Sequence, residues 1–229
     1  MAPPSPQQGN LFPEERPPSL EDALARLRPF LGKDLRPLGE EFSLCPPSAS
    51  GSLLPPYNKG WAGLVVERLL GHRADNLQVA DFGDWELKVV ALRSKLDQTL
   101  VVKELMAITM LDPVSLSQRE LFESHLWDKL RRLLIVARLY EAPEEPRSPV
   151  YALAAVDLKR DFPAIVELLQ ADYLSFRWRY EREGAAGLIG AQGHLLEIRS
   201  KGTKRGGGLA FYGRKVLVGA LLSRGETAR

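Results

Sequence analysis

The sequence predicts an α/β or α+β fold in which helices and strands are mixed along one chain. Segments with apolar residues at helical spacing alternate with short aliphatic runs, and such a mixture forms a sheet flanked by helices. The chain has 229 residues, 45% of them hydrophobic, which suffices for one compact domain or a two-lobed one. Its apolar runs stay below the roughly 18 residues of a membrane-spanning helix, so we expect a soluble, cytoplasmic protein.

The N-terminal region combines a proline-rich segment with a capped helix. Residues 1–18 hold six prolines and few large apolar groups, which is typical of a disordered leader. Ser19 followed by Asp22 resembles a capping box. We therefore expect a helix that begins at Ser19 and stops before Pro29, because proline disfavours helix in the residue before it.

A second helix is predicted from Lys59 to Leu70, with Asn58 as its cap and Gly71 just past its end. Further elements follow from periodicity and turn residues. In chain order they are strands at 84–92 and 98–110, a helix at 117–128, strands at 131–139 and 150–156, a long helix from Asp157 or Asp161 to about Glu183, the apolar segment Leu195–Ile198, a glycine-rich turn at 206–208 and a closing segment Leu209–Leu222.

Charge is unevenly distributed along the chain. The formal net charge is +2, but residues 195–229 contain eight basic and two acidic residues, a net +6, which leaves −4 for the remainder. A basic end on an acidic chain indicates a surface for a polyanion, and a solvated C-terminus is the alternative.

Several classes of enzyme are disfavoured by the residues present. The single cysteine, Cys45, excludes an intrachain disulfide and has no nearby histidine to activate it. The three histidines lack the spacing of a zinc site. The sequence also lacks the Gly-x-Ser-x-Gly elbow of serine hydrolases, the phosphate-binding loop of nucleotide hydrolases and the dinucleotide fingerprint. These classes of enzyme are therefore disfavoured.

The most informative stretch is Asp81–Lys88, an acid and a short spacer followed by Glu86-Leu87-Lys88. Side chains alternate along a strand, so Asp84, Glu86 and Lys88 would share one face. A carboxylate beside an amine, with a second carboxylate nearby, can bind a divalent cation and position a water, as metal-dependent phosphodiester cleavage requires. A charged, exposed strand face is the alternative interpretation of this short pattern.

Glu67 lies at the edge of the apolar stripe of the predicted second helix. An acid in that position needs a partner or a metal. Pairing with Arg68 or Arg73 is the simpler explanation on the helix alone.

Five blocks in order along the chain resemble the MutH family, which comprises the strand-discriminating endonuclease of methyl-directed mismatch repair and related GATC-cutting restriction enzymes. The resemblance runs from about residue 57 to 224, and its length suits the repair enzyme better than the longer restriction enzyme. The blocks are Asn58–Gly71, Asp81–Lys88, Ser124–Leu134, Leu196–Lys201 and Phe211–Arg224.

The resemblance implies a restriction-endonuclease-like fold, an α/β fold with a mixed central sheet, flanking helices and two arms around a DNA cleft. A single endonuclease domain, 19–229, would comprise an N-terminal catalytic arm (about 19–140) and a C-terminal DNA-binding arm (about 141–229). It also implies a catalytic set. Asp81 and Glu86 would ligate Mg²⁺, and Lys88 would orient the attacking water. Glu67 would assist from the preceding helix, and Lys129 would stabilise charge at the phosphate.

The same resemblance implies a DNA-contacting set, in which Tyr212 would lie near the adenine whose methylation is read. Its members are Lys59, Arg199, Lys201, Tyr212, Arg214 and Lys215. The implied activity is nicking of the unmethylated strand at hemimethylated GATC sites by a protein that is monomeric in solution. A MutL-like protein would be its activator. A restriction enzyme of the same family, cutting both strands, is the alternative.

The sequence departs from the family pattern in the gap between Asp81 and Glu86, which is short. Asp75 and Asp84 therefore compete with Asp81 for the metal: Asp81 is favoured by the motif and Asp84 by strand geometry. The segment 93–120 matches poorly, so family residues for base recognition are not carried over there.

Overall fold

In the computed structural model of this chain, the residues described are 17–45, 60–71, 82–142, 145–202 and 207–228. Most of the predicted leader lies outside these ranges, as do Asn58, Lys59, Asp75 and Asp81. No helix in the described part of the chain is both long and apolar enough to cross a membrane.

Eight strands and eight α-helices make up the described part of the fold. The strands are β1 (Glu86–Ser94), β2 (Leu100–Val102), β3 (Met106–Met110), β4 (Arg132–Leu139), β5 (Val150–Asp157), β6 (Leu196–Lys201), β7 (Gly208–Gly213) and β8 (Glu226–Thr227). The helices are α1 (Leu20–Leu27), α2 (Arg36–Glu41), α3 (Trp61–Leu69), α4 (Pro113–Gln118), α5 (His125–Leu130), α6 (Leu158–Asp161), α7 (Pro163–Glu183) and α8 (Lys215–Leu222). Short 3-10 turns cover Arg28–Phe30, Leu121–Glu123 and Gly184–Leu188.

The strands form two sheets. A five-stranded sheet has the order β2–β1–β4–β5–β8, and a three-stranded sheet has the order β3–β7–β6. The larger sheet is mixed, because β1 and β4 run parallel while the other neighbours run antiparallel. This arrangement confirms an α/β fold with a mixed sheet and helices.

The two faces of the larger sheet bury separate cores. Alternating residues of β4 divide between them, with Leu133 and Ile135 in one core and Leu134 and Val136 in the other. The first core also contains α5, α7, α8 and the inner face of the smaller sheet, and the second contains α1 and α3. Side chains alternate between the two faces of a strand in β1 as well, so each residue of β1 faces one core or the other.

Several predicted elements are confirmed. The Ser19 hydroxyl accepts a hydrogen bond from the Asp22 N–H at 3.1 Å, and α1 ends at Leu27, before Pro29. The strands predicted at 131–139 and 150–156 correspond to β4 and β5. Gly71 follows α3 with φ +81°, a conformation that glycine adopts without strain.

The prediction of one strand at 98–110 was wrong, because the chain changes sheet within it. Residues 100–102 pair with β1, whereas 106–110 pair with β7. Both pieces are apolar enough for a strand, and local pattern does not identify a partner.

The predicted helix at 117–128 is also interrupted. Arg119, Glu120 and Ser124 are extended, and the Ser124 hydroxyl accepts from the Trp127 N–H at 3.3 Å to begin α5 afresh. The predicted long helix is preceded by the one-turn α6, which Asp157 caps, and α7 begins only at Pro163.

Candidate active site

Glu86 is the first residue of β1 and is only 2% exposed. Its neighbour on the parallel strand β4 is Leu133, which belongs to the core shared with α5. Trp85 and Leu87 pack into the opposite core with α1 and α3. The carboxylate therefore lies at the end of a central strand, on the face that α5 covers.

Two lysines converge on this carboxylate. Lys88 lies two residues further along β1, and its Nζ donates to Glu86 Oε1 at 2.6 Å. Lys129 lies near the end of α5, and its Nζ donates to Glu86 Oε2 at 2.8 Å. The Lys88 and Lys129 side chains are 16% and 8% exposed, so water screens these contacts weakly.

The trio of Glu86, Lys88 and Lys129 has one carboxylate and two ammonium groups, which leaves one net positive charge. Buried charges are retained when they are paired and hydrogen-bonded, and each oxygen of Glu86 meets one ammonium. Such a cluster attracts an anionic group and can stabilise negative charge as it develops. The sequence prediction that Glu86 and Lys88 share a strand face is confirmed by their contact.

Asp84 does not join this trio. The strand starts two residues later, after a turn in which Gly83 has φ +80°, so the alternation expected for Asp84 does not extend to it. Its carboxylate pairs with Arg132, whose guanidinium also lies 3.6 Å from Glu21 of α1. The expectation that Asp84 shares the Glu86 face was therefore wrong.

Glu67 lies in the last turn of α3 and is half-buried. Helix α3 packs against β1 through the second core, to which Val65 and Val66 contribute. Asp81 and Asp75 lie outside the described residues, and Asp81 directly precedes the buried Phe82. The assignment of the second acid therefore stays a prediction.

Mg²⁺ prefers oxygen ligands, above all carboxylates, and Glu86 is a ligand of that type. Within the described ranges, no group of three His, Cys, Asp or Glu side chains is close enough to hold a metal. Both oxygens of Glu86 contact ammonium groups. A cation would need a second acid, and the Asp81 carboxylate fits that requirement chemically.

Three of the residues predicted to contact DNA share one face of the three-stranded sheet. Arg199 pairs across the strands with Ala210, and Lys201 with Gly208, while Tyr212 lies opposite Glu197. The other face packs into the core through Ile198 and Phe211. We call the face that carries Glu197, Arg199, Lys201, Ala210 and Tyr212 the basic sheet face.

Arg214 and Lys215 lie where β7 passes into α8. The Arg214 guanidinium donates to the backbone oxygens of Gly193 and His194 at 2.6 and 3.2 Å. Lys215 is exposed at the first turn of α8. Arg214 thus fixes the loop before β6 in this structure, while Lys215 remains accessible to a ligand. Lys59 lies outside the described residues.

Sequence reasoning missed Asp172, which holds the same loop from the other side. This carboxylate in α7 is 1% exposed and accepts from the N–H groups of His194, Leu195 and Leu196 at 2.6, 2.7 and 2.8 Å. Its position beside Tyr173, on the apolar stripe of α7, is the signal that could have singled it out, because a lone acid on such a stripe needs partners.

A second missed group surrounds Glu145, which joins the loop before β5 to α2 and α3. Its carboxylate accepts from Trp61 Nε1 at 2.8 Å and from Arg138 at 3.0 Å, and its backbone oxygen accepts from Arg36 at 3.1 Å. Both guanidinium groups lie over the Trp61 ring. The network fixes the start of the helix that carries Glu67.

Comparison with known proteins gives one family match. The family model described as "DNA mismatch repair enzyme MutH" matches residues 70–157. The matched segment contains Asp81 and the trio of Glu86, Lys88 and Lys129, whereas the residues that define the basic sheet face all lie beyond it. No individual curated protein matches the chain.

Proposed function

From the match of residues 70–157 to the MutH family model, we propose that the chain is a DNA endonuclease of mismatch repair that requires Mg²⁺. In this proposal it nicks the unmethylated strand at hemimethylated GATC sites. The mixed sheet and its helices would form a restriction-endonuclease-like fold whose two arms enclose DNA. A MutL-like protein would activate the enzyme, which would act in the cytoplasm as a monomer before it meets DNA.

The observation that supports the proposal most strongly is the convergence of Lys88 and Lys129 on the buried Glu86. Hydrolysis of a phosphodiester builds negative charge on the phosphate oxygens, so fixed positive groups lower the barrier. Two ammonium groups already gathered in a poorly solvated site are such positive groups. This is an arrangement suited to phosphoryl chemistry.

We assign the residues the following roles. Asp81 and Glu86 would hold Mg²⁺, which supplies positive charge at the scissile phosphate. Lys88 would orient the attacking water, and Lys129 would stabilise charge on the phosphate. Glu67, at the end of α3, would assist from the neighbouring helix.

The basic sheet face supports DNA as the substrate. Arg199 and Lys201 are exposed on it, opposite the small residues Ala210 and Gly208 of β7. Arginine and lysine bind phosphates and base edges, and Tyr212 on the same face offers an aromatic ring. We propose that this face contacts DNA and that Lys59, Arg214 and Lys215 add to the contacts.

The proposal is tested with plasmids that carry unmodified, hemimethylated or fully methylated GATC sites. Each is incubated with the protein in Mg²⁺ or EDTA, with and without a MutL-like activator. We expect Mg²⁺-dependent nicks confined to unmethylated strands and faster nicking with the activator. Rapid cutting of both strands without an activator would instead support a restriction enzyme, and intact plasmid under every condition would contradict both.

A pair of lysine variants tests the site itself. Lys88→Met removes one ammonium from the trio but leaves Glu86 paired with Lys129, so we expect a folded protein whose nicking rate is lower by about 100-fold or more. Lys103→Met is the matched control, because Lys103 contacts Glu104 and the Tyr140 ring away from the trio. Equal rates in the two variants would remove Lys88 from the active site.

A further inference from the structure

Glu197 is an acid on the basic sheet face, near the start of β6, where a carboxylate would repel DNA. It is only 5% exposed. Tyr212 lies opposite it on β7, and Gln192 forms a bridge with it on the other side. The carboxylate is therefore covered by its neighbours and does not present its charge directly to a ligand.

One contact explains why an acid occupies this position. Glu197 Oε1 accepts a hydrogen bond from Arg199 Nε, the next residue on the same face of β6. The two side chains differ sharply in accessibility, since that of Glu197 is 6% exposed and that of Arg199 is 55% exposed. The acid thus lies beneath the guanidinium and holds it by its inner edge.

The position of that bond determines what the guanidinium can still bind. A guanidinium has five N–H donors in a rigid plane, and the Nε–H is directed to Glu197. The two terminal nitrogens remain as a fork at the exposed end. Such a fork matches the O6 and N7 atoms of a guanine edge, which is the commonest base-specific contact of arginine in the major groove.

The residues beside this fork on the opposite strand are small. Arg199 faces Ala210 across the strands, and Lys201 faces Gly208. The Met110 methyl group of β3 lies where a side chain at Gly208 would be, 2.8 Å from the position of its Cβ. The Arg199 side chain itself is 55% exposed, so its terminal nitrogens are accessible to a base edge. Lys201, which lacks a forked group, suits a phosphate better than a base.

We propose that Glu197 is a positioning residue for sequence recognition, which acts by fixing the Arg199 guanidinium so that its terminal nitrogens read a guanine. The proposal rests on the proposed function, because it names how that same DNA site obtains specificity. It makes a distinctive prediction: loss of the acid lowers discrimination between sequences, although removal of a negative charge favours DNA binding in general.

Two variants with the same charge separate these effects. Glu197→Gln and Glu197→Leu both remove the negative charge, but glutamine keeps an oxygen that can accept from Arg199 and leucine does not. Dissociation constants are measured by fluorescence anisotropy in EDTA, for a duplex with one hemimethylated GATC and for the same duplex with AATT, in which adenine replaces the guanine of each strand. The ratio of the two constants measures discrimination.

We expect this ratio to fall by about 10-fold or more in Glu197→Leu, within the discrimination that one bidentate arginine contact provides, and by less in Glu197→Gln. Affinity for the AATT duplex should stay equal or rise in both. Arg199→Lys should lower the ratio as well, and Glu197→Leu combined with Arg199→Lys should lower it no further. Thermal melting checks that each variant is folded.

Glu120→Gln is the matched control, because Glu120 also pairs with an arginine, Arg177, but away from the sheet face. It should leave the ratio unchanged. A wild-type ratio that persists in Glu197→Leu would overturn the proposal, as would additive losses in the double variant. A wild-type ratio of one would instead contradict the GATC specificity of the proposed function itself.

Discussion

Replacement of Glu86 by alanine leaves two ammonium groups close together without the carboxylate that joins them. Each contact, at 2.6 and 2.8 Å, has a Coulomb energy of about 6 kcal/mol at an effective dielectric constant of about 20, before the cost of desolvation is subtracted. Loss of one partner from a buried ion pair typically destabilises a protein by about 3–5 kcal/mol. We expect Glu86→Ala to fall in that range.

The other members of the trio should behave differently. Lys129→Met leaves Glu86 bonded to Lys88, so the expected loss is smaller, about 1–3 kcal/mol. The double variant Glu86→Ala, Lys129→Met leaves only Lys88, whose side chain is the more exposed of the two lysines and can reach water. It should therefore be more stable than Glu86→Ala alone.

The assay is urea-induced unfolding followed by circular dichroism, in EDTA so that metal binding does not contribute. The free energies of unfolding of the wild type, both single variants and the double variant form a double-mutant cycle. A Glu86→Ala protein within about 1 kcal/mol of the wild type would refute the reasoning, since the contacts would then contribute little. A double variant whose loss equals the sum of the single losses would refute the coupling between Glu86 and Lys129.

Two further expectations concern the core around α2 and α3. Gly39→Ala should destabilise the protein by about 1–3 kcal/mol in urea unfolding, because a Cβ there would lie 2.7 Å from Cys45 Sγ and 2.9 Å from the Trp61 ring; a stability equal to the wild type would show that the two neighbours move aside easily. Burial raises the pKa of the Cys45 thiol above its ordinary value, which is about 8.5 for an unperturbed thiol. Iodoacetamide should therefore modify the native protein more slowly than the urea-unfolded chain between about pH 7 and 9, where the unperturbed thiol begins to ionise. Equal labelling rates of the native and the unfolded protein would contradict the raised pKa. Because the pKa of the thiol is higher in the folded state, its contribution to stability is complete below the unfolded pKa and is lost as the pH rises through the folded pKa.

Local chemistry determined much of the fold, because it depends on residues close together in the chain. Ser19 caps α1 through its own neighbour Asp22, and Gly71 ends α3 because glycine adopts a positive φ easily. The strand period places Glu86 and Lys88 on one face whatever sheet they join. The acid-lysine pair could therefore be identified before any tertiary contact was known.

Partners far apart in the chain were decided by the tertiary structure. The segment 98–110 splits between two sheets, although both parts have the composition of a strand. Asp84 pairs with Arg132, because the chain turns at Gly83 and β1 starts only at Glu86. In each case the local pattern permitted more than one partner, and packing selected among them.

The candidate site shows the same division. Resemblance to a family singled out Lys129, but the contact with Glu86, 43 residues away, exists because β1 and β4 pair in parallel and α5 packs on the face that Glu86 occupies. The partners of Asp172 and Glu145 are far away in the sequence, and these two acids fix their neighbours only where packing removes water from them. Side-chain alternation and capping depend on near neighbours along the chain and can therefore be predicted from the sequence. The partner of a buried charge, and the strength of its interaction with that partner, depend instead on the residues that surround it in space.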